Sequence, residues 1–156
     1  MRPEEARRFL EIHRASVRGI AAKDYPSSVV DEWAPLPITD ANVERFLSNR
    51  DNEIRLTAEI DGELVGLAAI VLSNSELRAC YVAPTTTRRG IGSALIAEIE
   101  RIACENGLTQ LQLDSSLTAE PFYTALGYRV LERGEHILPS GMPMAAVKMQ
   151  KRFDKG

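Results

Sequence analysis

Apolar and polar positions in the first part of the chain repeat with the period of an α-helix. Leu10, Val17 and Ile20 fall on one face with that period, which predicts a helix there. Ser27 or Ser28 is expected to cap a short second helix, because serine accepts readily from the free N–H groups of a helix start. The predicted helices cover residues 3–22, 28–33, 39–48, 91–105 and 119–126.

From residue 54 onward the pattern changes to the alternation and the short apolar runs of β-strands. The stretch from Leu64 to Leu72 is almost wholly apolar, which predicts a strand covered on both faces. Asp61-Gly62 is a typical hairpin turn between it and the preceding strand. The crossover rule makes the strand after the fourth helix parallel to the one before it. The predicted strands cover residues 54–60, 64–72, 76–82, 108–114, 128–138 and 145–153.

The segment from residue 80 to residue 95 reads as a strand, a loop and a helix start. Pro84 ends the strand, because proline has no N–H for the ladder. Gly90 and Gly92 lie where the helix begins, and the unpaired N–H groups of a helix start attract anions such as phosphate. Arg88-Arg89 adds positive charge at the same end. We interpret the segment as a phosphate cradle; the alternative is an ordinary turn with two arginines in water.

Composition narrows the class of protein. With 156 residues, 44% of them hydrophobic and 26% charged, the chain is expected to be one soluble globular domain. The net charge of −3 argues against a nucleic-acid-binding surface, and no apolar run has membrane length. Cys80 and Cys104 have no metal-ligand spacing, so neither a metal site nor a disulfide framework is predicted. Without a signal peptide pattern, a cytoplasmic location is expected.

Two stretches resemble motifs of the GNAT N-acetyltransferases. Residues 81–84, Tyr-Val-Ala-Pro, followed by residues 88–95, Arg-Arg-Gly-Ile-Gly-Ser-Ala-Leu, are similar to the family's acetyl-CoA-binding segment. Thr87 stands where that family prefers glutamine or arginine. Residues 122–128, Phe-Tyr-Thr-Ala-Leu-Gly-Tyr, resemble its F-Y-x-x-L-G-F/Y segment. A dinucleotide-binding fingerprint would instead need a third glycine where Leu95 stands, and a P-loop would end in Gly-Lys-Ser/Thr.

The resemblance covers residues 54–150 and implies an α/β fold. Its central sheet would be mixed and mostly antiparallel, with two splayed central strands and flanking helices. Acetyl-CoA, as co-substrate, would fill the gap between those strands, and no metal is implied. One N-acetyltransferase domain would span residues 1–156, with acceptor-side helices in residues 3–50. The strand that opens most members is expected to be missing or reduced, since the helical pattern starts at residue 3.

The resemblance also implies roles for single residues. Glu76 matches a glutamate that takes the proton of the attacking amine, and Tyr123 matches a tyrosine that protonates the departing thiolate. The backbone N–H of Tyr81 or Val82 would donate to the developing oxyanion. The residues implied in acetyl-CoA binding are Tyr81, Val82, Ala83, Arg88, Arg89, Gly90, Ile91, Gly92, Ser93 and Phe122.

For both catalytic candidates the residues themselves leave a structural alternative open. Glu76 is equally a strand-end glutamate in solvent. Tyr123 is alternatively a packing residue, although helix geometry turns it about 100° away from Phe122. Phe122 and Leu126 lie four residues apart and can share one buried face, so Tyr123 need not belong to the core. His13, on the seam of the first helix, is interpreted as a core histidine.

The acceptor is predicted less sharply than the cofactor. By resemblance its site is built from the first helices and the last hairpin, which makes Tyr25 and Trp33 substrate-binding candidates, with Asp24, Asp31 and Glu32 nearby. Residues 20–63 carry ten acids and four bases, a balance that suits a cationic amine, although the acids are alternatively a solvated face and Trp33 a core residue.

The prediction is therefore an N-acetyltransferase that moves an acetyl group to a primary amine of a small molecule or peptide. The prediction includes a homodimer as one option for the oligomeric state. Neither a nucleic acid nor a membrane is expected as a partner. A non-catalytic acyl-CoA sensor of the same fold and a nucleotide-binding module are the alternatives.

Overall fold

A computed structural model describes residues 2–86 and 90–153. Within these residues, short 3₁₀ turns at Ala21–Asp24, Leu72–Asn74 and Pro84–Thr86 join the longer elements. In chain order those elements are α1 (Pro3–Gly19), α2 (Ser27–Trp33), α3 (Asp40–Ser48), β1 (Ile54–Ile60), β2 (Glu63–Val71), β3 (Glu76–Val82), α4 (Ile91–Glu105), β4 (Gln110–Ser116), α5 (Glu120–Ala125), β5 (Arg129–Ile137) and β6 (Pro143–Arg152).

The strands form a sheet in the order β1-β2-β3-β4-β6-β5. Neighbouring strands run antiparallel except β3 and β4, which are parallel as the crossover rule predicts. Among the described residues, β3 and β4 share one ladder pair, Glu76 with Gln112, and then diverge. The mixed, mostly antiparallel sheet with splayed central strands is therefore confirmed.

The predicted bounds 54–60, 76–82 and 91–105 are confirmed, and most other bounds differ by one or two residues; α1, however, ends at Gly19 instead of residue 22. The Thr39 side chain accepts from the N–H of Asn42 while the Asn42 side chain accepts from the N–H of Thr39, a reciprocal cap that fixes α3. The predicted serine cap of α2 is wrong, because Pro26 occupies that position and no side chain caps the helix. Thr118, just before α5, does not cap that helix, because its hydroxyl donates to Asp24 at 2.6 Å.

The sheet separates two apolar cores. On one face α4 packs Leu95, Ile96 and Ile99 onto the sheet, and Gly66 in β2 lets the helix approach closely. A Cβ built on Gly66 would lie 3.2 Å from the Leu95 side chain. On the other face, α1, α2 and the β5–β6 connection enclose a smaller core around Tyr25. The gap between β3 and β4 opens between these two cores. Among the described residues, no helix combines the length and apolar character needed to cross a membrane.

Candidate active site

Two cavities meet where β3 and β4 separate. One, of about 440 Å³, is a groove between the end of α1, the start of α4 and α5; we call it the groove. The other, of about 520 Å³, lies between β3 and β4 and reaches β5 and β6; we call it the splay cavity. Six residues border both cavities, so a molecule in one would meet a molecule in the other. The residues shared by the two cavities are Trp33, Cys80, Tyr81, Ser116, Ala119 and Tyr123.

The start of α4 forms one wall of the groove. Gly90 precedes the helix with φ 75°, a left-handed conformation that favours glycine, and a Cβ built there would meet nothing within 4 Å. Gly92 approaches the ring of Phe122, since a Cβ built there would lie 3.1 Å from the ring. The predicted cofactor residues Gly90, Ile91, Gly92, Ser93 and Phe122 all line the groove. Arg88 and Arg89 lie outside the described residues.

The strand ladder shows which way the backbone N–H groups of Tyr81 and Val82 point. The N–H of Ala83 donates to the carbonyl of Val65, the residue just before Gly66 of β2. Backbone groups alternate in direction along a strand, so Tyr81 also faces β2 and the N–H of Val82 points into the gap. Ala83 itself is buried, and its carbonyl accepts from Thr86. The role of Ala83 in acetyl-CoA binding stays a prediction. The geometry does not favour it, because the N–H and the carbonyl of Ala83 already have hydrogen-bond partners.

Tyr123 lies at the junction of the two cavities and is only 7% exposed. Of the two open possibilities, the structure places Tyr123 in the core: it is the buried residue of α5, and Phe122 and Leu126 are half-buried. The short helix turns this ring toward the opening between the strands. Among the described residues its hydroxyl has no hydrogen-bond partner. Burial, followed by the nearby Cys80 thiol, raises the pKa of Tyr123 well above its usual value.

Cys80 is a junction residue that sequence reasoning passed over. It lies in β3, and burial raises the pKa of its thiol to about 12, so it stays protonated near neutral pH. Its neighbour Tyr81 points to the opposite face of the sheet, where His13 packs edge-on with ring centroids 4.7 Å apart. Burial raises the pKa of Tyr81 to about 12 against an opposing hydrogen bond from Trp33. The junction therefore contains neutral hydroxyl and thiol groups near neutral pH.

Glu76 lies at the narrow end of the splay cavity, where β3 and β4 are still paired. Its two carboxylate oxygens accept from Arg78, at 3.1 Å from Nε and 3.0 Å from Nη2. Arg78 also donates to Asp51 at 2.6 Å. Both carboxylate oxygens are thus already hydrogen-bonded to this guanidinium, and the role of Glu76 as a base stays a prediction.

The two acceptor candidates differ in their surroundings. Trp33 lines both cavities and packs edge-on against Tyr25. Tyr25 is buried; its hydroxyl donates to the carbonyl of Ala145 at 2.6 Å and accepts from the N–H of Leu117 at 2.8 Å. This hydroxyl ties β6 to the end of β4 and lies off both cavities. Substrate contact by Tyr25 therefore stays a prediction that this geometry does not favour.

We expect Tyr25→Phe to lower the free energy of unfolding by about 1–3 kcal/mol, because two hydrogen bonds to the backbone are lost and each contributes about 0.5–1.5 kcal/mol. Chemical denaturation would measure the loss. Tyr123→Phe is the matched control, since that buried hydroxyl has no partner among the described residues and its removal should leave stability almost unchanged. Equal stability of Tyr25→Phe and the parent chain would contradict the structural role.

Five of the ten acids in residues 20–63 pair with arginines. Asp31, Asp40 and Glu63 pair with arginines of α1, and Asp51 and Glu53 pair with Arg78 or Arg55. The acidic balance of that segment is thus partly neutralised. Among the described residues, no group of three or more histidine, cysteine or acidic side chains is placed to hold a metal ion.

Comparison with known proteins gives consistent results. A family model described as an acetyltransferase (GNAT) domain matches residues 21–153. The GCN5-related N-acetyltransferase of Rhodopseudomonas palustris is 27% identical, with a TM-score of 0.86 over 98% of this chain and 92% of that one. The PaiA N-acetyltransferase of Thermoplasma acidophilum, solved with coenzyme A, is 20% identical, with a TM-score of 0.74 over 98% and 96%. The ribosomal-protein-alanine N-acetyltransferase of Brucella melitensis is 21% identical, with a TM-score of 0.71 over 98% and 97%.

Proposed function

The chain belongs to the GNAT family of acetyltransferases, and on this premise we propose that it transfers the acetyl group of acetyl-CoA directly to a primary amine. The observation that carries the proposal is the meeting of the groove and the splay cavity at Tyr123, Cys80 and Tyr81. One opening would hold the acyl donor and the other the acceptor, so the reacting groups would meet in the gap between β3 and β4.

The groove suits a phosphorylated and partly apolar ligand. Unpaired N–H groups at the start of α4, a helix of 15 residues, would bind a pyrophosphate. Gly90 and Gly92 keep that approach free of side chains. Val17, Ile20 and Phe122 add an apolar wall for a pantetheine arm. When bound there, acetyl-CoA would supply the thioester carbonyl that an amine attacks.

The chain's own groups at the gap have distinct tasks in this proposal. The N–H of Val82 would donate to the carbonyl oxygen as negative charge develops on it. The Tyr123 hydroxyl would donate its proton to the departing sulfur, since a tyrosine with a raised pKa reliably keeps its proton near neutral pH. Cys80 stays a thiol near neutral pH, which fits direct transfer rather than an acetylated cysteine.

Glu76 provides a test of base catalysis. If its carboxylate takes the amine proton, Glu76→Gln should lower turnover several-fold at pH 7, and the loss should shrink as pH rises because the amine then deprotonates unaided. The measurement is kcat/KM across pH 6 to 10. Asp51→Asn is the control, because it removes a carboxylate from Arg78 without touching either cavity. A loss that is independent of pH and equal in both variants would show that Glu76 only holds Arg78.

Two experiments test the proposed function against its alternatives. Acetyl-CoA at 100 times its Kd should stabilise the chain by about 2.7 kcal/mol, while ATP and NAD should do little; the reverse would indicate a nucleotide-binding module. A library of amines is then screened for release of free CoA thiol. Binding of acetyl-CoA without thiol release from any amine would favour an acyl-CoA sensor.

A further inference from the structure

A third cavity, of about 350 Å³, lies between α1, α3 and strands β1 to β3. We call it the α1–α3 cavity. Tyr81 and Ala79 line both this cavity and the splay cavity, so the two are neighbours across the Tyr81 side chain. Its other walls include His13, Arg14 and Phe46. None of the groups proposed to act in acetyl transfer, apart from the shared Tyr81, faces it.

Arg14 is the unusual residue of this cavity. It is only 8% exposed, yet it forms no ion pair with any acid in the part of the chain that is described. Its Nε donates to the carbonyl of Pro35 at 3.2 Å and its Nη1 donates to Nδ1 of His13 at 2.9 Å. A guanidinium has five N–H groups, so two are used and three have no acceptor within residues 2–86 and 90–153. A buried cation is normally paired, because desolvation of an unpaired charge is costly.

His13 does not supply the missing negative charge. Because Arg14 only donates, Nδ1 of His13 must accept, so the imidazole is neutral with its proton on Nε2. Burial, and then the charge of Arg14, lowers the pKa of His13 to about 4, so the ring stays neutral near pH 7. The Nε2–H group has no acceptor among the described residues and is a second unused donor on this cavity.

The charges on the other walls do not compensate Arg14 either. Arg45 and Arg55 contribute positive charge, and the one carboxylate that lines the cavity, Glu53, pairs with Arg55 at 2.8 Å and approaches Arg78 at 3.7 Å. Of the residues that the structure describes, three guanidinium groups line the cavity together with one carboxylate that already has partners.

Capping of α2 does not by itself account for a buried, unpaired Arg14. Arg18, one turn further along α1, donates to the carbonyl of Ala34 just as Arg14 donates to Pro35. Arg18, however, is more exposed and pairs with Asp31 at 3.0 Å. Both arginines thus cap the end of α2 by donating to a backbone carbonyl. Of the two, only Arg14 has unused N–H groups beside the α1–α3 cavity.

We propose that the α1–α3 cavity binds an oxyanion group of the acceptor through Arg14, so that the acceptor is an amine that also carries a carboxylate or a phosphate. This inference rests on the proposed acetyl transfer. The amine would lie in the splay cavity near Tyr123, and the oxyanion would lie across Tyr81, beside Arg14 and the Nε2–H of His13. The planar guanidinium suits two-pronged binding of either oxyanion.

Matched pairs of acceptors test the substrate class. Each proteinogenic amino acid is compared with its α-carboxamide, and phosphoethanolamine is compared with ethanolamine. We expect kcat/KM to be about tenfold or more higher for the oxyanion member of at least one pair, and the chemistry of that pair identifies the oxyanion. Arg14→Gln should abolish the preference by raising KM, whereas Arg18→Gln, which loses the equivalent cap, should retain it. Equal kcat/KM within every pair would overturn the inference while leaving acetyl transfer intact.

A binding measurement keeps the inference testable without turnover. The ¹⁵N-labelled chain is saturated with CoA and titrated with N-acetylglycine, N-acetylglycinamide and methyl phosphate. The Nε–H signal of Arg14 is identified as the one that is missing from the spectrum of Arg14→Gln but present in that of Arg18→Gln. This signal should shift in a saturable way with at least one oxyanion and should not shift with N-acetylglycinamide. No saturable shift with either oxyanion would refute the anion site. Failure of CoA to bind would instead refute the proposed function. The oxyanion titration of the chain without CoA would then still test the anion site.

Discussion

Tyr123→Phe should slow acetyl transfer on the order of 10²-fold, the lower end of what general acid catalysis contributes. The ring remains, so its edge-on packing against Phe122 and Tyr128, with centroids 5.1 Å and 5.8 Å away, is unchanged. Only the hydroxyl at the junction of the two cavities is lost. Because burial raises its pKa well above the usual value, this hydroxyl keeps its proton throughout the neutral range. Steady-state kcat with the true acceptor is the measurement, together with acetyl-CoA affinity, which should barely move.

Tyr128→Phe is the matched control for this result. Tyr128 belongs to the same core, but its hydroxyl donates to Glu100 at 3.0 Å and lines neither cavity. Its loss should therefore lower the melting temperature without lowering kcat. Wild-type turnover in Tyr123→Phe would show that the hydroxyl is not the acid and that the residue only packs. An equal loss of turnover in both variants would point to a damaged core rather than to proton transfer.

The cradle at the start of α4 is best tested by a pair of substitutions at one position. Asparagine and aspartate both tolerate the left-handed conformation of Gly90 and are nearly equal in size. Gly90→Asp places a negative charge where a pyrophosphate would bind, and Gly90→Asn does not. We expect acetyl-CoA to bind Gly90→Asp at least about tenfold more weakly than Gly90→Asn, or about 1.4 kcal/mol. Calorimetric titration measures the difference.

Gly62 provides the control for that pair. It also has a left-handed φ, of 80°, with nothing within 4 Å of a built Cβ, and it lies in the turn between β1 and β2. Gly62→Asp should leave acetyl-CoA affinity unchanged. Gly92 is less suitable for substitution, because any side chain there would displace Phe122. Equal affinities of Gly90→Asp and Gly90→Asn would mean that no phosphate lies against this helix start.

The sequence predicted the structure well where the conformation of a segment depends on residues that are close to each other in the chain. The strand at residues 54–60 was predicted with its observed bounds, because its alternation ends at Asp61-Gly62, where both residues have positive φ. The reciprocal cap of Thr39 and Asn42 is likewise a contact between residues three apart. The start of α4 at Ile91 follows from the glycine before it.

Features of the site that depend on distant segments could not be read in this way. The pairing of Asp51 with Arg78 joins residues that are 27 apart, and the bond of Thr118 to Asp24 joins residues that are 94 apart. The sequence left open whether Tyr123 belongs to the core, because a six-residue helix does not reveal which of its sides meets the sheet. Arg14 looks like an ordinary helix arginine until α2 and the sheet enclose it.

The divergence of β3 from β4 also bears on how the fold comes apart. Strands β1 to β3 form one block and β4 to β6 another, and in the described residues one ladder pair joins them. Backbone hydrogen bonds therefore couple the unfolding of one block only weakly to the unfolding of the other. The apolar side chains of α4, such as Ile96 and Ile99, pack against the sheet within one core that also contains side chains of both blocks. Loss of this helix should uncouple the two blocks. Hydrogen exchange of the backbone amides would then give one opening free energy for β1 to β3 and a different one for β4 to β6.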